Sequence, residues 1–131
     1  MGAIHVPVTI RNPLERHRSW EGIFLVDTGA TDCLVPKRHL ESIGLASIGQ
    51  REYELADGTI LRMDITVAQV DVMGEPVGAT IIMSDTDTEP LLGVTALESA
   101  GIEVDPRNET LKRLPSVRLK QSRPTLKVLR V

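Results

Sequence analysis

Apolar positions in this chain recur mostly with a period of two. Ile4 to Ile10 alternates, Gly22 to Val26 is a continuous apolar run, Leu34-Val35-Pro36 resumes one, and Ile60 to Val72 alternates again through Ile65, Val67, Val70 and Val72. Short strands punctuated by Gly and Pro predict an all-β domain. Between the first two strands, Arg11 to Glu21 contains Pro13 and several charges without a period, and reads as an exposed loop. Asp57-Gly58, between Tyr53-Glu54-Leu55 and Ile60-Leu61, predicts a hairpin whose turn residues both accept positive φ. A second hairpin is expected at Met73-Gly74-Glu75-Pro76.

Helical signals are few. Pro36 to Gly44 reads as little more than one turn, ended by Gly44. Thr95 to Ala100 reads as a short helix, with Thr95 as cap, Glu98 completing a capping box and Gly101 as the stop. The segment Ile102-Glu103-Val104-Asp105-Pro106 returns to strand character.

The chemistry concentrates behind the Ile23-Phe24-Leu25-Val26 run, where Asp27-Thr28-Gly29-Ala30-Thr31 sets one carboxylate on a tight turn at the mouth of a buried strand. Gly29 permits the turn, and Thr28 can hydrogen-bond backbone locally. Asp-Thr-Gly is also an ordinary strand-to-turn sequence. Its context gives it weight: a strand on each side and a second signature, Leu91-Leu92-Gly93-Val94, late in the chain. Only one such acid is present, whereas amide hydrolysis by carboxylates takes two that share a proton, so the pattern points to a symmetric homodimer.

These landmarks resemble the retropepsin-like aspartic proteases, the retroviral proteases with their cellular and bacterial relatives, over roughly residues 4 to 115. The resemblance implies a closed β-barrel with a flap hairpin at Ala56-Asp57-Gly58-Thr59 and one short C-terminal helix beneath the catalytic turn. It implies Asp27, Thr28 and Gly29 as the catalytic set. Ala30, Asp32, Leu25, Leu34, Asp57, Gly58, Thr59 and Leu91 would contact an extended peptide or protein substrate, Leu91 facing the cleft and Leu92 buried. Two departures stand out: a flap tip poorer in glycine than is usual, and Val94 where retroviral members often carry an arginine that supports the dimer. Tyr53 reads as a packing residue rather than a substrate contact. The alternatives left open are a non-catalytic peptide-binding or dimerisation module of the same fold, and an unrelated small β-barrel in which Asp27 only forms a turn.

Composition constrains the rest. At 131 residues and 41% hydrophobic, the chain has room for one domain, assigned to 1–115, followed by a basic tail, 116–131. Residues 1–110 hold 8 Lys and Arg against 18 Asp and Glu, a net −10, while residues 111–131 hold seven basic and no acidic residues, a net +7. Solvation or docking on the acidic body accounts for that tail. Aromatic interleaving that would suggest nucleic acid is missing. Leu126 to Val131 alternates well enough to be a strand that pairs across a dimer or lies in a cleft as an inhibitory segment; a disordered, solvated end is the remaining alternative. No apolar stretch has membrane-spanning length, and Met1 to Pro7 lacks the features of an export signal, so a soluble, cytoplasmic protein is expected. Cys33, the single cysteine, reads as a small buried filler suited to a reducing compartment. His5, His17 and His39 lack metal-ligand spacing, so neither metal nor cofactor is expected.

Overall fold

A computed structural model describes residues 2–117 and 119. In chain order it contains β1 (His5–Arg11), β2 (Ser19–Asp27), β3 (Cys33–Pro36), α1 (Lys37–Ser42), β4 (Gly49–Glu54) and β5 (Ile60–Val72). These are followed by β6 (Glu75–Ser84), β7 (Leu91–Gly93), α2 (Val94–Ala100), β8 (Ile102–Asp105) and β9 (Thr110–Arg113). Strands pair in the order β1-β2-β7-β3-β6-β5-β4, and β1 also pairs with β5. That extra pairing closes six strands into a barrel and leaves β4 outside it, carried on the first half of β5. Closure removes the open edges of those six strands and leaves β4 as the one edge strand of this sheet.

Inward-facing side chains alternate along the strands, with one correction to the expected pattern: Val67, expected in the same alternation as Ile65, Val70 and Val72, is 46% exposed, because residues 67 and 70 fall on opposite faces of β5, and Thr66 and Ala68 point inward with Val70 and Val72. Val8, Ile10, Phe24, Val35, Val70, Val72, Ile81, Met83 and Leu92 fill the barrel, and Leu40, Leu97 and Ile102 cover its ends. With three aromatic residues in the whole chain, the core is almost entirely aliphatic, so its stability rests on close packing of branched side chains.

Several local expectations are corrected. The loop between the first two strands covers only residues 12–18, because Ser19-Trp20-Glu21 continue the β2 ladder opposite Arg11, Ile10 and Thr9. Buried Asn12 holds that loop: its side-chain oxygen accepts the amides of Leu14 and Glu15 at 2.9 and 3.1 Å, and its amide donates to the Ile43 carbonyl beyond α1. The second hairpin turns where expected, and the first differs from expectation in type. Only Gly58 takes positive φ in the Leu55–Thr59 turn, where Gly58 N–H donates to Leu55 O and Leu55 N–H to Thr59 O, a three-residue loop with a glycine bulge. The two-residue turn with positive φ at both positions lies instead at Met73 (51°) and Gly74 (80°), between the paired Val72 and Glu75. Pairing of β8 with β9, through a turn capped by the Asp105 carboxylate, adds a strand that the sequence pattern did not single out. The expected strand at Leu126 to Val131 falls outside the described residues.

Candidate functional site

Strand β7 is wedged between β2 and β3, parallel to the first and antiparallel to the second. Leu91 sits opposite both Leu25 and Leu34, and Gly93 lies beside Asp27. The two strands flanking the Asp27 turn are thus held apart, and the turn spans the gap. Gly93 is required there by space: a Cβ on it would sit 2.5 Å from the Asp32 carbonyl carbon, 2.6 Å from the Asp32 oxygen and 2.8 Å from the Thr31 oxygen. Backbone approaches backbone closely only because residue 93 has no side chain.

The turn is then fixed from two sides. Within it, Gly29 N–H donates to Asp27 Oδ1 at 3.0 Å and Ala30 N–H to the Asp27 carbonyl at 3.1 Å, which orients the carboxylate. From below, the first amides of α2 are satisfied by the turn: Val94 N–H donates to Ala30 O at 2.8 Å and Thr95 N–H to Thr31 O at 3.2 Å. This replaces the expected capping box. Gly93 is the N-cap, no side chain caps the helix, and backbone carbonyls of the turn take the place of a Thr95 hydroxyl. Gly93 N–H donates to the Cys33 sulfur at 3.4 Å. Cys33 is buried, and burial pushes its thiol up to about 11.

Asp27 is half-buried at the floor of a cleft of about 730 Å³. Gly29, Ala30, Asp32, Leu34 and Leu91 share that floor, and Ile82 adds a further apolar wall. Leu92, adjacent to Leu91, points the other way into the core. The roof is formed by the outer strand of the flap hairpin, β4, through Arg51 and Tyr53, and by the start of the hairpin turn through Leu55 and Ala56. In the single chain, Leu25, Thr28, Asp57, Gly58 and Thr59 lie outside the lining. Leu25 is held between His5 and Leu91 in the sheet, Thr28 is exposed on the turn, and residues 57–59 form the exposed hairpin tip. The Asp57 carboxylate accepts the Thr59 amide at 2.9 Å, and hydrogen bonding to Thr59 holds it below the usual carboxylate range.

Roof and floor are joined by a network centred on Asp32. Its Oδ2 accepts from the Tyr53 hydroxyl at 2.6 Å and from Arg51 Nη1 at 3.2 Å. These bonds satisfy a carboxylate that is 8% exposed as a residue, and they fasten the flap strand to the loop that carries Asp27. Burial, and then the hydrogen bond to Asp32, raise the Tyr53 phenol to about 12. Reading Tyr53 as a packing residue missed this bond, and Arg51 was not singled out at all. Their spacing of two, which puts both side chains on one face of a strand, was the available signal.

Comparison with known proteins agrees with this geometry. A family model described as "gag-polyprotein putative aspartyl protease" matches residues 21–99. The fold is similar to the retroviral protease-like domain of Ddi1 from Leishmania major, with a TM-score of 0.56 and 19% identity over 88% of this chain and 91% of that one. It is also similar to the simian foamy virus (mac) protease, with a TM-score of 0.50 and 22% identity over 71% of this chain and 90% of that one. A foamy viral protease-reverse transcriptase, solved with an RNA/DNA hybrid, gives a TM-score of 0.53 at 15% identity over 95% of this chain but 14% of that longer one. Among curated proteins no sequence matches. By the family match across the Asp27 turn, the flap and the Leu-Leu-Gly strand, the chain belongs to the retropepsin-like aspartic proteases.

Proposed function

We propose that this protein is an aspartic endopeptidase that acts as a symmetric homodimer, each subunit contributing one Asp27. The observation that carries the proposal is the Asp27 carboxylate, oriented by Gly29 at the floor of a peptide-sized cleft, with its Oδ2 accepting no hydrogen bond among the described residues, whereas Asp32 beside it is tied up by Tyr53 and Arg51. Two such groups in contact cannot both ionise cheaply, which is the general basis of catalysis in aspartic proteases. The ionised carboxylate takes a proton from a water held between the pair as that water attacks the scissile carbonyl. The protonated partner donates a hydrogen bond to the carbonyl oxygen as charge develops there.

The surroundings support the reading. Thr28 is exposed in one chain, so its hydroxyl is free to hydrogen-bond the partner's turn in the proposed dimer. Leu55, Ile60 and Leu61 are exposed around the flap tip, apolar surface suited to closing over a bound peptide and excluding water. An extended substrate would pair with the flap and floor by strand addition, its alternate side chains entering pockets made by Leu34, Ile82 and Leu91. Cleavage is therefore expected between hydrophobic residues, fastest at mildly acid pH, where the pair most readily holds one proton.

The test is incubation of purified protein with a peptide library from acid to neutral pH, with and without a statine-type inhibitor. Inhibitor-sensitive cleavage that disappears in Asp27→Asn, while fold and dimer persist, is the expected result. Cleavage that survives Asp27→Asn, full activity at pH 9 without an acid limb, or a strictly monomeric active species would refute it.

A further inference from the structure

The cleft carries more negative charge than its own residues neutralise. Asp27, Asp32, Glu52 and Glu54 line it against one base, Arg51, which is already paired with Asp32. Glu52 and Glu54 form no ion pair among the described residues. Beside these acids the walls are apolar, through Leu34, Leu55, Ile82 and Leu91. Residues 118–131 have the complementary composition, five basic residues and no acidic one, and end in Leu126-Lys127-Val128-Leu129-Arg130-Val131, four apolar residues interleaved with two bases.

That segment, outside the described residues, starts close enough to reach the cleft. Helix α2 begins against the Asp27 turn, where Val94 N–H donates to Ala30 O, and runs seven residues, about 10 Å, to Gly101. Val117 packs at that far end: a Cβ on Gly101 would come within 2.9 Å of its Cγ2. Fully extended, residues 118–125 span about 26 Å, more than twice the helix length, which is enough to carry the last six residues past the turn and into the cleft.

We propose that the chain's own segment Leu126–Val131 occupies the cleft as an internal competitor of substrate. This rests on the reading of the cleft as a peptide site. The segment adds to the flap and floor as an extended peptide, its apolar side chains against Leu34, Ile82 and Leu91, with Lys127 and Arg130 neutralising Glu52 and Glu54. A short tether holds such a segment at an effective concentration on the order of 1 mM. If the same peptide free in solution binds with a Kd of about 0.1 mM, the tethered copy weakens any competing peptide about tenfold.

Binding separates this competitor from turnover. Full-length Asp27→Asn protein is titrated by calorimetry at low salt with a synthetic peptide of residues 124–131. One form keeps the natural tail, and the other carries Leu126→Ser, Val128→Ser, Leu129→Ser and Val131→Ser. The peptide is expected to bind the serine-tail form about tenfold more tightly. Adding Glu52→Gln and Glu54→Gln to both forms weakens tail and peptide alike, so the two affinities should come within about twofold of each other. Equal affinity for the two tails, tighter binding to the natural tail, a tenfold difference that survives the glutamine substitutions, or no peptide binding to either form would overturn the proposal. A tail effect on binding without cleavage by the protein that retains Asp27 would defeat the peptidase reading alone. Asp27-dependent cleavage with the same KM for both tails would defeat the internal competitor alone.

Discussion

Replacing Gly93 by alanine tests how the Asp27 turn is held. The added methyl would lie 2.5 to 2.8 Å from three backbone atoms of Thr31 and Asp32, against a comfortable carbon contact of about 3.5–4.0 Å. None of those atoms belongs to a flexible side chain, so the overlap of about 1 Å must be relieved by moving the turn away from β7. That motion stretches the Val94–Ala30 and Thr95–Thr31 bonds and shifts Asp32 from Tyr53 and Arg51. Overpacking of this kind costs about 1–3 kcal/mol. On the proposed peptidase function, a displacement of about 1 Å in the Asp27 carboxylate would lower turnover about a hundredfold. Urea unfolding with the same m-value and a lower midpoint, together with a peptide-cleavage assay, reads both effects. Gly78→Ala is the contrast, since a Cβ there meets nothing within 4 Å and its φ is not in the left-handed region. It should leave stability unchanged or raise it by up to about 1 kcal/mol. A Gly93→Ala protein as stable as the parent would refute the argument that close approach of β7 to the turn requires glycine.

Tyr53 is the single tyrosine of the chain, so ultraviolet titration reports on it alone. Its phenol should ionise near pH 12 rather than near 10, because burial and then the bond to Asp32 oppose the charge, and Asp32→Asn should lower the midpoint. Because the folded value is the higher one, the stability linked to it is complete below about pH 10 and is lost as pH rises towards 12; unfolding curves that stay flat across that window would contradict this. Cys33, buried with its thiol raised to about 11, should react with a thiol reagent at pH 8 only as fast as the protein opens, and urea should accelerate labelling; rapid labelling of the native protein would show that the packing around β3 is wrong. Leu92→Ala should cost about 2–5 kcal/mol, since Leu92 is fully buried between β2 and β3, and a loss below 1 kcal/mol in urea unfolding would count against that packing.

Much of the fold was legible because alternation of period two is written directly in the residues. Ile4 to Ile10 alternates because one face of β1 is buried, and Val70 and Val72 share the buried face of β5 with Thr66 and Ala68; by contrast Ile60, Leu61 and Val67 are exposed, and the apolar run before Asp27 is fully buried only at Phe24, with Ile23 on the open face. Local chemistry was less reliable where distant backbone could substitute for it. Thr95 and Glu98 spell a capping box, yet the helix amides bond to Ala30 and Thr31, more than 60 residues earlier in the chain. Asp57-Gly58 fits a two-residue turn, but the β4–β5 register makes three residues the loop and leaves positive φ to Gly58 alone.

The site divides in the same way. That Asp27 sits on a turn between two strands follows from sequence, because a short motif and its flanking apolar residues are contiguous. Whether β7 would part those strands, and which groups would face Asp27 across the cleft, depends on pairings between segments far apart in the chain. Arg51 and Tyr53 gain their role only when the flap strand folds over Asp32, roughly twenty residues away. Periodicity reports which face of a strand is buried, but not what that face meets; partners at long range are chosen by closure of the barrel, and closure is a property of all six strands at once.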